Sequence, residues 1–474
     1  MGLAKVIIAK SYDVPMGKDL SIISEGNKKQ VTYPEMENTA TKLAFITKRS
    51  KEKPQEKMTS LAHLLNPEYL NECWLELKKG KAPGIDGRKL ESYSKEEMEL
   101  EIIEIVRKMK AKEYKPKPAK RVWIEKLNGK LRPLGIPAII DKVVQQGIKK
   151  ILEAIFEPHF LDCSYGFRPN RNCHQALKAV YKMIMTNPIN WIVEIDIKGF
   201  FDNVDHQWLI ECLNQRIDDH NFRSIIIKFL KAGVIEEGKF SQTDKGTPQG
   251  GILSPILANI YLHYVLDLWF EINLKKEING YTEMVRYADD FIIGAQTKEE
   301  AEQILSAVKE RLKKFNLEVS SEKTRIIEFG RDAEENARNK GNGKPDTFDF
   351  LGFTHFCSKS RRGNFLMKVQ TSNKRMTNKL KEMNQWLKDI RNKISAKEIW
   401  KGLSSRLRGH YNYYGISSNS RSIQTFYHQT TKLTFKWINK RSQKKSYNWT
   451  EFHEYLKQHP LAKPALAYNM YDIW

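Results

Sequence analysis

The sequence predicts an α+β fold in which a sheet carries helices on one of its faces. Two observations support this prediction. In the middle of the 474-residue chain, short runs rich in β-branched residues alternate with longer segments of helical periodicity. Hydrophobic residues make up 40 % of the chain, enough for roughly two or three domains with cores of their own. Strands and helices mixed in this way are expected to pack in layers around those cores.

The first part of the chain is predicted to be mainly helical. Residues 1–57 lack strong periodicity and are interpreted as an N-terminal extension, with the charged run Lys48–Lys57 as a linker. Short helices are predicted between Leu61 and Leu77. A glycine-rich loop, Gly80–Gly87, separates them from a helix over Glu96–Lys112 that has apolar residues along one face.

The middle of the chain alternates between the two kinds of structure. Trp191–Ile197 is predicted to be a strand, and Met284–Gly294 is predicted to form two short strands around a turn. A helix is expected to begin at Ser254–Pro255, because serine can cap a helix and proline suits its first turn. Glu299–Phe315 has the pattern of an amphipathic helix.

The charge of the chain indicates an acidic partner. The net charge is +23, and 22 Lys and Arg against three acidic residues place +19 of it between Lys359 and Lys445. Nucleic acid is favoured over an anionic membrane, because aromatic residues lie among these charges. No apolar run approaches the roughly 18 residues of a spanning helix, so we expect a cytoplasmic protein without membrane contact. No two of the five cysteines have CxxC spacing, and neither a zinc site nor a disulfide framework is expected.

Two adjacent acids, Asp289 and Asp290, lie between apolar strand segments. Buried charges are costly unless a partner such as a metal ion neutralises them, although an ordinary Asp-Asp hairpin turn is the alternative. Asp196 ends the strand that starts at Trp191, on the face opposite its alternating apolar residues. If the strands are neighbours, Asp196 and Asp289 meet and can share two Mg²⁺ ions. Side-chain alternation favours Asp289 over Asp290.

Such a site suits phosphoryl transfer. Two hard cations about 3.5–4 Å apart can clamp the attacking and leaving oxygens of an in-line displacement. Two further acids, Asp202 and Asp205, precede a helical pattern and are expected to cap it.

Several segments resemble reverse transcriptases, and more narrowly those of bacterial group II introns. Tyr287–Asp290 resembles the signature turn of the family, Asp196–Asp202 its first catalytic motif, and Gly246–Pro255 the loop and helix under the template. The similarity to group II intron proteins rests on three further segments: Gly80–Gly87, Ser164–Asn170 and the maturase-like Arg406–Gly415. The resemblance extends from about Met58 to the C-terminus.

The resemblance implies a right-hand polymerase. After the extension at residues 1–57, it implies fingers at 58–185, a palm at 186–365 and a helical thumb or maturase domain at 366–474. The implied activity is RNA-directed DNA synthesis, together with help in intron splicing and retrohoming. The implied partners are intron RNA, an RNA template with a DNA primer, and deoxynucleoside triphosphates.

The resemblance also implies roles for single residues. Lys126 and Arg132 flank a hairpin turn and would hold the triphosphate, unless they are merely solvated charges. Phe201 would block a ribose 2′-hydroxyl, the alternative being a core phenylalanine. Gln249 would touch the nucleotide sugar, and Lys323 would protonate pyrophosphate. The metal site would comprise Asp196, Ile197, Asp289 and Asp290, and the RNA surface would include Lys374, Arg375, Lys381, Lys388, Arg406 and Arg408.

The sequence departs from many relatives in one respect. It stops at Trp474, soon after the maturase-like segment, and we expect no metal-dependent endonuclease because the CxxC pairs are missing. Two alternatives remain open: an RNA-binding splicing cofactor without polymerase use, and a reverse transcriptase of a defence or spacer-acquisition system.

Overall fold

The computed structural model describes residues 39–125, 129, 131–441 and 446–472. The fold is α+β, as predicted, and these residues form three sheets with helices around them.

The central sheet has the strand order β6-β7-β3-β8. Its strands are β3 (Trp191–Asp196), β6 (Glu283–Tyr287), β7 (Asp290–Ala295) and β8 (Arg325–Glu328). Strand β3 runs antiparallel to both β7 and β8, and β6 and β7 form the predicted hairpin.

Two smaller sheets accompany the central one, and two strands of the first of them lie between β3 and β6 in sequence. The first, of order β2-β1-β4-β5, contains the antiparallel hairpin of β1 and β2 and joins it to the parallel neighbour β4. The other has the order β11-β10-β9 and is antiparallel throughout. Their strands are β1 (Ala119–Glu125), β2 (Leu131–Ile136), β4 (Val234–Glu236), β5 (Lys239–Ser241), β9 (Phe348–Phe350), β10 (Phe353–Lys359) and β11 (Phe365–Thr371).

Helices precede, separate and follow these strands. Those before the central sheet are α1 (Thr39–Glu52), α2 (Pro67–Leu75), α3 (Lys95–Lys110), α4 (Ile139–Phe156) and α5 (Cys173–Thr186), with 3-10 turns at Ala62–Leu64, Leu90–Ser92 and Glu157–His159. Those between its strands are α6 (Phe200–Asn203), α7 (His206–Asn214), α8 (His220–Leu230), α9 (Ser254–Leu262), α10 (Lys275–Glu277) and α11 (Lys298–Lys313). The later ones are α12 (Ala333–Asn339), α13 (Asn373–Ile390), α14 (Ala396–Tyr414), α15 (Ser420–Ile438) and α16 (Trp449–Gln458).

Helix α9 does not end as an ordinary α-helix. It continues into two π-helical turns, His263–Asp267 and Phe270–Leu274, before α10. Each π-turn closes hydrogen bonds five residues apart and therefore changes which side chains face the core.

Both faces of the central sheet are covered, so the expectation of helices on one face only is wrong. Val193 and Ile293 belong to a core cluster that includes α11, whereas Ile192 and Ile292 belong to a second cluster that includes α5. The reason is visible in β3, where the consecutive residues Ile192 and Val193 are both buried and point to opposite faces.

The interpretation of Lys48–Lys57 as a linker is also wrong. Helix α1 covers the first half of this segment, ending at Glu52, and packs on α4. Ile46 is buried, and the Ser50 hydroxyl donates a hydrogen bond to the Ile155 carbonyl (2.6 Å) and accepts one from Arg216 (2.8 Å). The charges that suggest a linker lie mainly on the solvent side of a docked helix.

The helix starts agree with the sequence except at two predicted caps. The helix at Ser254 begins there, but the Ser254 hydroxyl donates to the Pro248 carbonyl (2.6 Å) instead of capping its own helix. Asp205 caps α7 by accepting from the Trp208 amide (3.0 Å), as predicted. Asp202 does not cap α7, because it lies inside the preceding helix α6. In the part of the chain that the structure describes, every helix is too short or too polar to cross a bilayer.

Buried histidines make the stability of the fold depend on acidity. Loss of hydration lowers the pKa of His263 and of His355 to about 3 and that of His410 to about 4, from an ordinary value near 6.5. The folded state therefore favours the neutral rings. Their contribution is fully present above about pH 6.5 and is lost as the pH falls toward these lowered values.

We expect the thermal unfolding midpoint, followed by circular dichroism, to decrease steadily between about pH 6.5 and 4.5. The substitution His355→Phe should flatten this dependence, because His355 stacks on Phe348 at 4.5 Å and a phenyl ring can occupy the same place without titrating. The exposed His428→Gln serves as the control. An equal slope in all three proteins would contradict the prediction.

Candidate active site

Three carboxylates meet at one end of the central sheet. Asp196 is the last residue of β3, and Asp290, the first residue of β7, lies directly across the ladder from it. Asp289 lies in the two-residue turn between β6 and β7. The two strands are therefore neighbours, which is the condition for the acids to meet, and the acids share one edge of the sheet.

The geometry differs from expectation in which acid faces Asp196. Simple alternation favoured Asp289, yet Asp290 occupies the cross-strand position. The turn explains the difference, because Ala288 has a φ of +57° and the hairpin closes at the pair Tyr287 and Asp290. Both acids still interact electrostatically with Asp196.

The carboxylates repel one another. Loss of hydration and then the charges of Asp289 and Asp196 raise the pKa of Asp290 to about 7. Loss of hydration, followed by the charge of Asp196, raises the pKa of Asp289, with a partial offset from Arg132 and Lys323. The ends of these strands thus hold an excess of negative charge.

Lys323 only partly compensates for this excess. Its ammonium group donates a hydrogen bond to the Asp196 carboxylate at 2.8 Å. Burial alone would lower the pKa of Lys323, but the hydrogen bond and charge of Asp196 raise this pKa. The charges of Asp290 and Asp289 raise it further. The ammonium is therefore charged at neutral pH.

The donor set fits hard divalent cations. The site contains three acids and one lysine, and two of the acids have a raised pKa. Further positive charge would therefore stabilise the site. Within the described residues these side chains do not form a complete three-ligand shell, so a cation would have to draw them closer. The Ile197 side chain has no ligating atom, so only the main-chain oxygen of that residue could contribute.

A buried arginine fixes the turn. Arg286 donates to the Asp267 carboxylate (2.7 Å), to the Ala288 carbonyl (2.9 Å) and to the Ser164 hydroxyl (2.8 Å). The side chains of Arg286 and Asp267 are both completely buried. Burial would lower the pKa of Arg286, but the charge and hydrogen bonds of Asp267 raise it instead.

The loop before α5 packs against the other side of this turn. A Cβ atom on Gly166 would collide with the main chain of Ala288, so glycine is required for the close approach. The Asn259 amide donates to the Gly166 carbonyl at 2.8 Å, and the Tyr165 amide donates to the Arg286 carbonyl at 2.9 Å.

A polar chain links the β1–β2 hairpin to helix α6, which follows the central strand β3. Arg132 donates to the side-chain oxygen of Gln249 (2.7 Å), and the Gln249 amide group donates to Asp202 (3.2 Å). Gly246 has a φ of +84°, and a Cβ there would lie 2.8 Å from the carbonyl oxygens of Phe201 and Asp202. Gln249 is therefore oriented from both sides.

Phe201 lines a cleft of about 540 Å³ together with Asp202, Gln249 and residues 241–248. Its side chain is 8 % exposed, and it packs edge to face with Phe200, which is buried in the core. Phe201 thus has one side on the core and one on the cleft. Lys126, the other residue expected beside the triphosphate, lies outside the described residues.

The basic C-terminal helices approach the carboxylates at one point. Lys374 and Arg375, at the start of α13, line a cavity of about 410 Å³ with Asp196, Asp290 and Lys323. Arg406 stacks on the Trp386 ring at 4.3 Å and lines a second cavity that shares Arg375 with the first. Three other predicted residues, exposed on α13 and α14, line neither cavity: Lys381, Lys388 and Arg408.

Sequence reasoning missed the ion pair of Arg286 and Asp267 and the role of Asp202. A signal for the first was available, because each charge interrupts an apolar run and charged residues are seldom fully buried unless paired. The second depends on contacts between distant segments and has no local signature.

The chain is similar to one protein family and to several known proteins. The family "Reverse transcriptase (RNA-dependent DNA polymerase)" matches residues 115–355. The group II intron-encoded protein LtrA of Lactococcus lactis is 33 % identical over 480 residues, covering 82 % of this chain and 76 % of LtrA. Protein YkfC of Escherichia coli is 33 % identical over 65 % of this chain and 86 % of its own length. Nuclear intron maturase 4 of Arabidopsis thaliana is 29 % identical over 31 % of this chain and 18 % of its own length.

The buried ion pair makes a double-mutant test possible. Asp267→Asn leaves the Arg286 charge buried without its partner and should lower the free energy of unfolding by about 3–5 kcal/mol. Asp267→Asn combined with Arg286→Met should cost clearly less than the sum of the two single changes, as measured by urea denaturation. Additive losses would show that the two side chains act independently.

Proposed function

Because this chain belongs to the reverse transcriptase family, among its group II intron-encoded members, we propose that Asp196, Asp289 and Asp290 are its catalytic carboxylates. The protein is an RNA-directed DNA polymerase with a right-hand fold, and it assists intron splicing. The observation that carries the proposal is the register of the central sheet, which sets Asp290 opposite Asp196 beside the Asp289 turn.

Within the right hand, we assign the fingers to residues 58–185, the palm to 186–365 and the thumb to 366–474. The packing of α1 on α4 supports extending the fingers back to residue 39. The palm then contains the central sheet, and the thumb contains the basic helices α13 to α15.

Reverse transcriptases use divalent metal ions, and the three aspartates with the Ile197 carbonyl would hold two Mg²⁺ that activate the primer 3′-hydroxyl and neutralise the leaving pyrophosphate. Lys323 holds Asp196 in place by its 2.8 Å hydrogen bond. With its pKa raised, the same ammonium keeps a proton at neutral pH and can give it to the departing pyrophosphate.

The cleft beside Phe201 would take the sugar of the incoming deoxynucleoside triphosphate. Gln249 is oriented by Arg132 and Asp202 so that its amide stays in one position at the cleft wall. Arg132 lies close enough to influence Asp289 electrostatically, which suits a cation that contacts phosphates next to the metal site. Phe201 presents a ring to the cleft where a 2′-hydroxyl would need space.

RNA would bind along the thumb. Exposed cations at the start of α13 line the cavity that contains Asp196, so a strand bound there leads directly to the carboxylates. Arg406, stacked on Trp386, offers a planar cation beside an aromatic ring. This surface would serve both the primed template and the folded intron.

Asp196→Asn keeps the shape of the side chain and removes its charge. We expect primer extension to fall by roughly 100-fold or more, about 3 kcal/mol of barrier, while assisted splicing of the intron at low Mg²⁺ persists. Splicing should persist because intron chemistry is performed by RNA that the protein only binds. Extension on a primed RNA template and splicing are measured on the same preparation.

Asp205→Asn is the matched control, because Asp205 caps α7 and is not one of the three clustered acids. It should retain near-normal extension. If Asp196→Asn extends primers like the unaltered protein, the proposed carboxylates are not catalytic. If both activities disappear together in a folded protein, the two functions share one site.

Phe201→Val removes the ring from the cleft. Selection of deoxyribonucleotides over ribonucleotides should fall at least about tenfold, because a 2′-hydroxyl would then fit. The ratio of kcat/KM for the two nucleotides is the measurement. Phe200→Val, in the core, should lower stability without changing this ratio, and the reverse outcome would reject Phe201 as the selecting residue.

A further inference from the structure

Phe167 is an exposed aromatic residue on a strained backbone. Its side chain is 51 % exposed, and its φ is +59°. The left-handed region disfavours large side chains, and a phenyl ring that stays half exposed gains only part of the free energy of burial. The stability of the fold therefore does not by itself account for a large aromatic residue at this position.

Hydrogen bonds and an ion pair of the neighbouring Arg168 hold the loop around Phe167 in place. Arg168, buried next to it, donates to the carbonyls of Leu161 (2.7 Å), Ser164 (2.8 Å) and Phe160 (3.3 Å). It also forms an ion pair with Glu157 at 2.8 Å. The ring of Phe167 is thus displayed on a fixed support.

The same loop is fixed to the catalytic turn. Gly166 lies against the main chain of Ala288, and the Tyr165 amide donates to the Arg286 carbonyl. The ring centroids of Phe167 and Tyr287 are 6.4 Å apart. Tyr287 is the cross-strand neighbour of Asp290, so Phe167 extends an aromatic surface outward from the carboxylates.

With the catalytic assignment proposed above, the primer 3′ end would lie at the carboxylates, next to this aromatic surface. Bases inside a duplex are already stacked, so a protein ring beside a duplex can reach only the sugars and the groove edges. An RNA–DNA duplex is A-form, with a wide and shallow minor groove that accepts a flat apolar side chain. Because the ring centroid of Phe167 lies 6.4 Å from that of Tyr287, which pairs with Asp290, the ring would face the first few base pairs behind the primer end.

We propose that Phe167 packs into the minor groove of the primer–template duplex next to the primer terminus. This proposal rests on the assignment of the catalytic carboxylates made above. The ring buries its exposed face against the sugars and holds the duplex against the turn. It contributes to binding of the primed template, while the carboxylates perform the chemistry.

The substitution Phe167→Asn distinguishes a role in duplex binding from a structural role. Asparagine tolerates the left-handed region, so Phe167→Asn should leave the unfolding midpoint unchanged or raise it. The KM for primer–template should rise about tenfold, with kcat at saturation within about twofold of the original. Phe167→Tyr retains the ring and should behave like the unaltered protein.

Asn170→Ala is the control within the same loop. Asn170 is exposed and has a φ of +58°, so alanine there strains the backbone without removing a ring. It should lower stability and leave the KM for primer–template unchanged. A KM that rises equally in Asn170→Ala and Phe167→Asn would assign the effect to loop structure and overturn the proposal.

Crosslinking tests the contact directly and does not require loss of the ring. With photoreactive p-benzoylphenylalanine in place of Phe167, irradiation of a complex with labelled primer–template should crosslink nucleotides in the first few base pairs behind the primer end. Crosslinks confined to single-stranded template, or an unchanged KM in Phe167→Asn, would overturn the proposal. A fully active Asp196→Asn would instead reject the catalytic assignment.

Discussion

The catalytic end of the central sheet depends on one buried ion pair, between Arg286 and Asp267. Neither side chain reaches solvent, and a buried charge without its partner is strongly unfavourable. The Arg286 guanidinium joins three segments: the hairpin turn, the helix that begins at Ser254 and the loop at Ser164. A slip of one residue in the hairpin would move Arg286 to the other face of the sheet, so the pair also fixes the register that opposes Asp196 and Asp290.

This rigidity supports an arrangement that is unfavourable by itself. Three carboxylates crowd together at the strand ends, and one lysine offsets them only in part. Apolar cores on both faces of the sheet hold the strands in position despite the repulsion. The site thus stores electrostatic free energy that cations can release, and the neighbouring packing prevents the acids from moving apart.

Local patterns predicted much of this structure. Local periodicity predicts three of its elements: the strand Trp191–Asp196, the hairpin around Asp289 and the amphipathic helix at residues 298–313. Such periodicity does not depend on which segments pack beside the element. Three features could not be predicted: the docking of α1, the second covered face of the sheet, and the hydrogen bonds that link Arg132 through Gln249 to Asp202. These features depend on contacts between segments far apart in sequence, and the positive φ of Ala288 decided which acid faces Asp196.

The π-helical turns that follow α9 have a consequence for the length of the chain. Asp267 ends the first of them, where the wider winding accommodates an additional residue. Each residue of an α-helix advances the side chains by about 100°. Deleting one residue here would restore regular winding and rotate Asp267 away from Arg286. Insertions and deletions in this helix are therefore incompatible with the ion pair. The number of residues between Ser254 and Asp267 is as constrained as the identities of Arg286 and Asp267.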